Sequence, residues 1–105
     1  MMVSKYRAKP ITIDGIRFAS TKEGNHYRVL KDRLRCGEIS DLKLQPRFKL
    51  VVLGKKICTY VADFEYIEVA TGELITCDVK GVRTREYIIK AKLVKALFGI
   101  DILEV

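Results

Sequence analysis

Histidine and cysteine, the usual ligands of zinc, are scarce in this 105-residue sequence: one histidine, His26, and three cysteines, Cys36, Cys58 and Cys77. No CxxC pair and no zinc-type Cys/His spacing is present, which argues against a sulfur-bound metal and for free thiols in a reducing compartment. No apolar run reaches the length of a membrane span. The opening "MMVSKYRAKP" has charges at Lys5, Arg7 and Lys9 where a secretory leader has an apolar centre, so a cytoplasmic protein with no membrane partner is expected. Internal repeats, low-complexity tracts and Pro/Gly-rich linkers are also missing. A single domain over residues 1–105 is expected, with residues 1–10 as a basic arm. A chain of this length buries roughly two thirds of the surface its unfolded form exposes, so it needs no disulfide to fold.

Positive charge is abundant. Twenty Lys+Arg stand against 13 Asp+Glu, a formal net charge of +7. On so small a chain that excess suggests a polyanionic partner, with DNA first. Lys5, Arg7 and Lys9 ahead of the fold, and Arg83 and Arg85 later, are the candidate phosphate contacts. A solvated basic surface is the alternative for each of them.

"ITIDGIRFAS" alternates about an Asp14–Gly15 turn signal, as in a small hairpin or an extended arm. From Ser20 to about Arg35 the period becomes helical, with Tyr27, Leu30 and Leu34 on one stripe and Gly37 as the stop. Ser20 and Glu23 fit a capping box. "LKLQPRFKLVVL" from Leu42 to Leu53 is strand-like, with Pro46 marking an edge or a bulge. Gly54 and Lys55 then turn the chain into a long strand from about Ile57, "ICTYVADFEYIEV". Thr71–Gly72 reverses it into "LITCDVK", and Thr84 caps a helix from Arg85 to about Phe98 that ends at Gly99. "IDILEV" forms the last strand. The order α, three meandering strands, α, β predicts an α/β fold with a central mixed sheet flanked by helices.

A two-residue loop at Thr71–Gly72 would set Asp63 opposite Lys80 and Glu65 opposite Asp78, all on one face. Three acids there repel, by roughly 4 kcal/mol per pair at ~4 Å and an effective dielectric near 20. Lys80 alone does not offset them, whereas Mg²⁺ would, because one or two carboxylates with waters and substrate phosphate complete its octahedron. Metal-dependent phosphate chemistry follows as an expectation. On the same argument Asp78→Ala should slightly stabilise the metal-free fold. Glu23 continues the inward stripe of the first helix and is a candidate to join these acids, although capping explains it equally well.

"YVADFEY" with "DVK" fifteen residues after Asp63 resembles the PD-(D/E)xK nuclease motif, and the predicted order resembles that superfamily's restriction-endonuclease-like core, αβββαβ. "SKYRAKP", "DGIRFAS", "GEISDLKLQPRF", "DVKGVRT" and "GIDILEV" together resemble a small family of uncharacterised phage and prophage proteins placed in that superfamily. The resemblance implies metal ligands at Asp63, Asp78 and the Val79 carbonyl. It implies a catalytic lysine at Lys80 that orients the attacking water and stabilises negative charge, and a helix acid at Glu23. The motif proline is Ala62 here, and Gly24 and Asn25 after Glu23 are poor helix formers.

Together these point to a DNA endonuclease using Mg²⁺, with Mn²⁺ as the other candidate ion. Branched or recombination intermediates are preferred as substrate because 105 residues leave little room for a separate recognition domain. A homodimer would suit the cutting of two strands. A non-catalytic nucleic-acid-binding module on the same fold, or a basic protein-interaction factor, are the alternatives.

Overall fold

Gln45 and Pro46 set the bend around which the rest of the chain is arranged. The computed structural model describes residues 9–105. Along the chain it contains β1 (Ile11–Ile13), β2 (Ile16–Phe18), α1 (Thr21–Arg35), β3 (Ile39–Leu44), β4 (Arg47–Val52), β5 (Lys55–Val61), β6 (Phe64–Glu68), β7 (Glu73–Asp78), α2 (Arg85–Phe98) and β8 (Leu103–Glu104).

The expected strand from Leu42 and its partner from Ile57 are each divided in two. Leu44 pairs with Phe64 and Arg47 with Val61, in one antiparallel register. Between them the Gln45 N–H donates to the Asp63 carbonyl at 2.9 Å, and the Ala62 N–H to the Pro46 carbonyl at 3.1 Å. The four strands are therefore one long hairpin, bent in the middle. Pro46 contributes no N–H, and Gln45 adopts a left-handed φ of 53°, so the ladder kinks there without losing register.

Beyond the bend, the outer half β4–β5 packs on α2 through Leu50, Tyr60, Ala62, Tyr87 and Val94. The inner half, β3–β6, joins β7 and β8 in a four-stranded sheet ordered β3-β6-β7-β8. Only the β7–β8 pair is parallel. The fold is thus mixed α/β with two helices and a mixed sheet, as the pattern of elements predicts. Helix α1 and the β1–β2 hairpin cover one face of that sheet, around Phe18, Tyr27, Leu30, Ile39, Phe64, Tyr66 and Cys77. Among the described residues no helix is long and apolar enough to cross a membrane.

Both helices begin where their caps predict. Ser20 Oγ accepts from the Glu23 N–H at 3.1 Å, and Thr84 Oγ1 from the Tyr87 N–H at 3.1 Å. The turns differ more. Pairing of β6 with β7 ends at Glu68↔Glu73, so the loop has four residues, 69–72, because the Thr71 and Gly72 N–H groups both fold back onto the Glu68 carbonyl. The ladder is displaced by two residues from the expected one. Since strand faces repeat every two residues, the displacement keeps Asp63 and Asp78 on a common face, but Asp63 comes level with Asp78 instead of Lys80, and Glu65 lies opposite Thr76. At the far tip the turn is Leu53–Gly54, with φ of 50° and 77°, not Gly54–Lys55. Such a turn favours Asn-Gly, and leucine in the left-handed region costs about 1 kcal/mol.

Gly24 has a reason beyond helix propensity. A Cβ there would lie 2.6 Å from Ile11 Cγ2 and 3.1 Å from Ile13 Cδ1, so the missing side chain lets β1 lie against α1. Gly24→Ala gains up to about 1 kcal/mol of helix propensity but overpacks this contact. The expected net result in urea melts is a loss of about 1 kcal/mol, and a gain in stability would show that β1 does not press on the helix.

Candidate active site

Asp63 is the first residue beyond the bend and Asp78 the last of β7, so the kink in one hairpin and the end of a neighbouring strand bring two carboxyl groups together. Asp78 is buried, 3% exposed. The Tyr60 hydroxyl donates to its Oδ2, and Lys80 Nζ lies 3.0 Å from the same oxygen. Asp63 Oδ2 accepts the Val79 N–H at 2.7 Å. Burial, first, and then its hydrogen bond to Asp78 push the Asp63 carboxyl up to about 8; the Val79 N–H opposes this, and the charges of Asp78 and Glu23 add to it. Without metal, this acid keeps its proton at neutral pH.

Glu23, in the first turn of α1, joins them. Burial, first, raises its pKa, and the charge of Asp78 acts in the same direction, while Asp63 and the Ala19 backbone oppose the rise. Ser20 caps the helix through the Glu23 N–H while the buried Glu23 side chain lies near Asp63 and Asp78, so the cap position and the acidic position are one residue. Glu65 does not join: it lies nearest Lys43, at 3.8 Å, and its place in the expected trio is taken by Glu23.

Lys80 is held on several sides. Its ammonium sits 3.8 Å from the centre of the Tyr87 ring, and the Tyr87 hydroxyl in turn donates to Glu104 Oε2 at 2.8 Å. Its backbone N–H donates to the Val105 carbonyl at 3.0 Å, and Lys22 Nζ donates to its carbonyl at 2.8 Å. Beside it opens a cleft of about 290 Å³ lined by Thr59, Tyr60, Val61, Thr84, Tyr87 and Lys90 among others. Tyr60, Tyr87 and Lys22 are the site residues that sequence reasoning missed. Period-two alternation placed Tyr60 in a strand, but only the bend carries that strand's inner face over Asp78.

These contacts reverse one expectation. Removing the Asp78 carboxylate leaves the Tyr60 hydroxyl and the Lys80 ammonium without their acceptor, which outweighs relief of repulsion when Asp63 already holds a proton. Asp78→Ala should therefore destabilise the metal-free fold, by about 1–3 kcal/mol.

Among the described residues no three His, Cys, Asp or Glu side chains already surround a common cation position. A hard ion of the Mg²⁺ type needs fewer: the Asp63 and Asp78 carboxylates, with the carbonyl of Val79 next to Asp78 in sequence, would make a small oxygen donor set that waters and a phosphate can complete. The remaining sequence candidates are dispersed. Lys5 and Arg7 lie outside the described residues. Lys9 is exposed, as is Arg85, while Arg83 pairs with Glu104 at 3.0 Å. His26 packs on the Phe64 ring with its Nε2 3.6 Å from Cys77 Sγ. Gln45 serves the bend.

A family model described as "Protein of unknown function (DUF1064)" matches residues 3–101. No curated protein and no solved structure matches the chain.

A carboxyl whose pKa is raised by folding stabilises the native state fully below its unfolded value, about 4, and that contribution is lost as pH rises through about 8. In metal-free buffer, unfolding free energy should fall between pH about 5 and about 9, and Asp63→Asn should flatten that fall. Identical slopes in the two proteins would place the proton elsewhere.

Proposed function

We propose for this chain, which belongs to the DUF1064 family, the hydrolysis of DNA phosphodiester bonds with the help of Mg²⁺ or Mn²⁺. The observation that carries the reading is the convergence of Asp63, Asp78 and Lys80 on one side of the sheet, beside an open cleft. The topology supports it too. If β4–β5 is taken as an extension of the bent hairpin, the remaining order is α1, three meandering strands β3, β6 and β7, then α2, then β8 parallel to β7. That order is similar to the αβββαβ order of the restriction-endonuclease-like core, which supports reading Asp63, Asp78 and Lys80 as the PD-(D/E)xK motif residues.

In this reading Asp63, Asp78 and the Val79 carbonyl hold the ion, whose chemistry is to polarise the phosphoryl group and make water a stronger nucleophile. Lys80, fixed between Asp78 and the Tyr87 face, presents a positive charge to the cleft, where negative charge develops on the scissile phosphate. Its position is set before substrate arrives, since ring, carboxylate and backbone all restrain it. Asp63 must release its proton to solvent to act as a ligand. Cleavage is therefore expected to rise with pH through about 8.

Asp78→Asn keeps an oxygen for Tyr60 and Lys80 while weakening the donor set, and Lys80→Gln removes the charge without emptying the volume. Each is expected to reduce cleavage of branched or linear DNA by about 100-fold or more while remaining folded. Mg²⁺ should raise the melting temperature of the unmodified protein and not that of Asp78→Asn. DNA binding without Mg²⁺-dependent cutting, together with melting indifferent to Mg²⁺, would instead leave a binding module on this fold.

A further inference from the structure

The outer half of the bent hairpin has no part in the chemistry above, yet its surface is unusual. From Arg47 to Val61 there are four cationic residues, Arg47, Lys49, Lys55 and Lys56, and no acid. All four are exposed, and none is in an ion pair among the described residues. Arg47 and Lys49 alternate with Phe48 and Leu50, which face α2, so the two cations share the opposite face. Their cross-strand partners are Val61 and Thr59. Directly opposed residues in an antiparallel pair share a face, and Val61 and Thr59 also line the cleft beside Lys80. The positive face of the ribbon thus meets the cleft along Thr59 and Val61 and extends to Lys56 near its tip, while Lys55, opposite Val52, adds a cation on the other face of the ribbon.

At that tip stands Leu53, 102% exposed and held at a φ of 50°. Asparagine or glycine would suit the turn better and would bury no less, so fold stability does not account for a leucine here. Lysines along a two-stranded ribbon are also explained by protection of open strand edges, but that need does not account for Leu53.

We propose that the β4–β5 ribbon is a DNA-gripping arm that lies in a groove of duplex DNA next to the cleft, with Arg47, Lys49, Lys55 and Lys56 on phosphates and Leu53 inserted as an apolar contact among sugars and bases. A two-stranded ribbon fits the major groove, about 12 Å wide. Apolar side chains of this kind serve as wedges in DNA-bending proteins. Charge complementarity favours a polyanion, and continuity with the Lys80 cleft selects the nucleic acid being cut over another anionic surface. The proposal rests on the DNA reading of the site and names the part of the protein that holds the substrate.

The test is fluorescence anisotropy of the full chain on a labelled DNA duplex over a series of salt concentrations, in Ca²⁺ or without metal so that no cutting occurs. Lys55→Gln with Lys56→Gln is expected to reduce the slope of log affinity against log salt by about 1.8, and Arg47→Gln with Lys49→Gln by a similar amount. Leu53→Asn should melt no lower than the unmodified protein, because the turn prefers Asn-Gly, yet bind duplex about 10-fold more weakly. Unchanged slopes in both double variants, with Leu53→Asn binding as before, overturn the arm and leave the nuclease reading intact. Loss of Mg²⁺-dependent cutting as a property of the protein, with ribbon-dependent binding retained, overturns the nuclease reading and leaves the arm. The arm is also overturned if the same substitutions leave DNA binding untouched and abolish binding to phosphatidylserine vesicles.

Discussion

Everything that distinguishes this molecule from a plain meander follows from the kink at Gln45–Pro46. A straight hairpin from Ile39 to Glu68 would project its outer half past the sheet, with both faces in water and too little apolar contact to hold it. The left-handed Gln45 and the missing N–H of Pro46 bend the ladder while its register continues, so Leu50 and Tyr60 reach α2 and build a second core. The same bend places Asp63 just before β6, where its carboxyl meets Asp78, and carries Tyr60 over that residue. One backbone irregularity thus serves both packing and site. This is the common logic of bulges near functional positions, where a local break in pairing re-aims a side chain.

The acids themselves are a cost that the fold has arranged to limit. Two neighbouring carboxyls on a half-buried strand end cannot both be ionised cheaply, and the structure answers by raising Asp63 and by giving Asp78 a lysine and a tyrosine hydroxyl. Tyr87 has a second duty in the same scheme. It belongs to the second core, and its face restrains the Lys80 ammonium at 3.8 Å. A core side chain therefore also fixes the direction of Lys80.

Helices were legible in the sequence because their signals are local: Ser20, Thr84, Gly37 and Gly99 cap or stop them within a few residues of the stripes they bound. Hairpin turns were less so, because the count of loop residues at 69–72 depends on how the Thr71 and Gly72 N–H groups return to the Glu68 carbonyl, which composition does not specify. The shared face of Asp63 and Asp78 survived that error only because it was two residues, the period of a strand. The division of each long strand was not legible at all. Ala62–Asp63 has no breaker of its own; the break is imposed from across the ladder by Pro46, a contact of long sequence separation. Tyr60 was hidden for the same reason, and Gly24 read as a weak helix former until the β1 side chains that need its space were in place.

The placement of charge around Asp78 also bears on how one small acidic site can be stable without metal. Lys80 neutralises Asp78, and the proton on Asp63 removes a second negative charge, so the metal-free site carries little net field apart from Glu23. Loss of that single proton exposes two partly buried carboxylates to one another in surroundings less polar than water, where both their repulsion and their attraction for a divalent ion are larger than in solution. On the proposed reading the proton is the placeholder for the ion. The desolvation that makes Asp63 a weak acid is then the same physical property that makes the ionised pair a strong ligand set, and Lys80, already committed to Asp78, keeps the ion from having to balance all three acids alone.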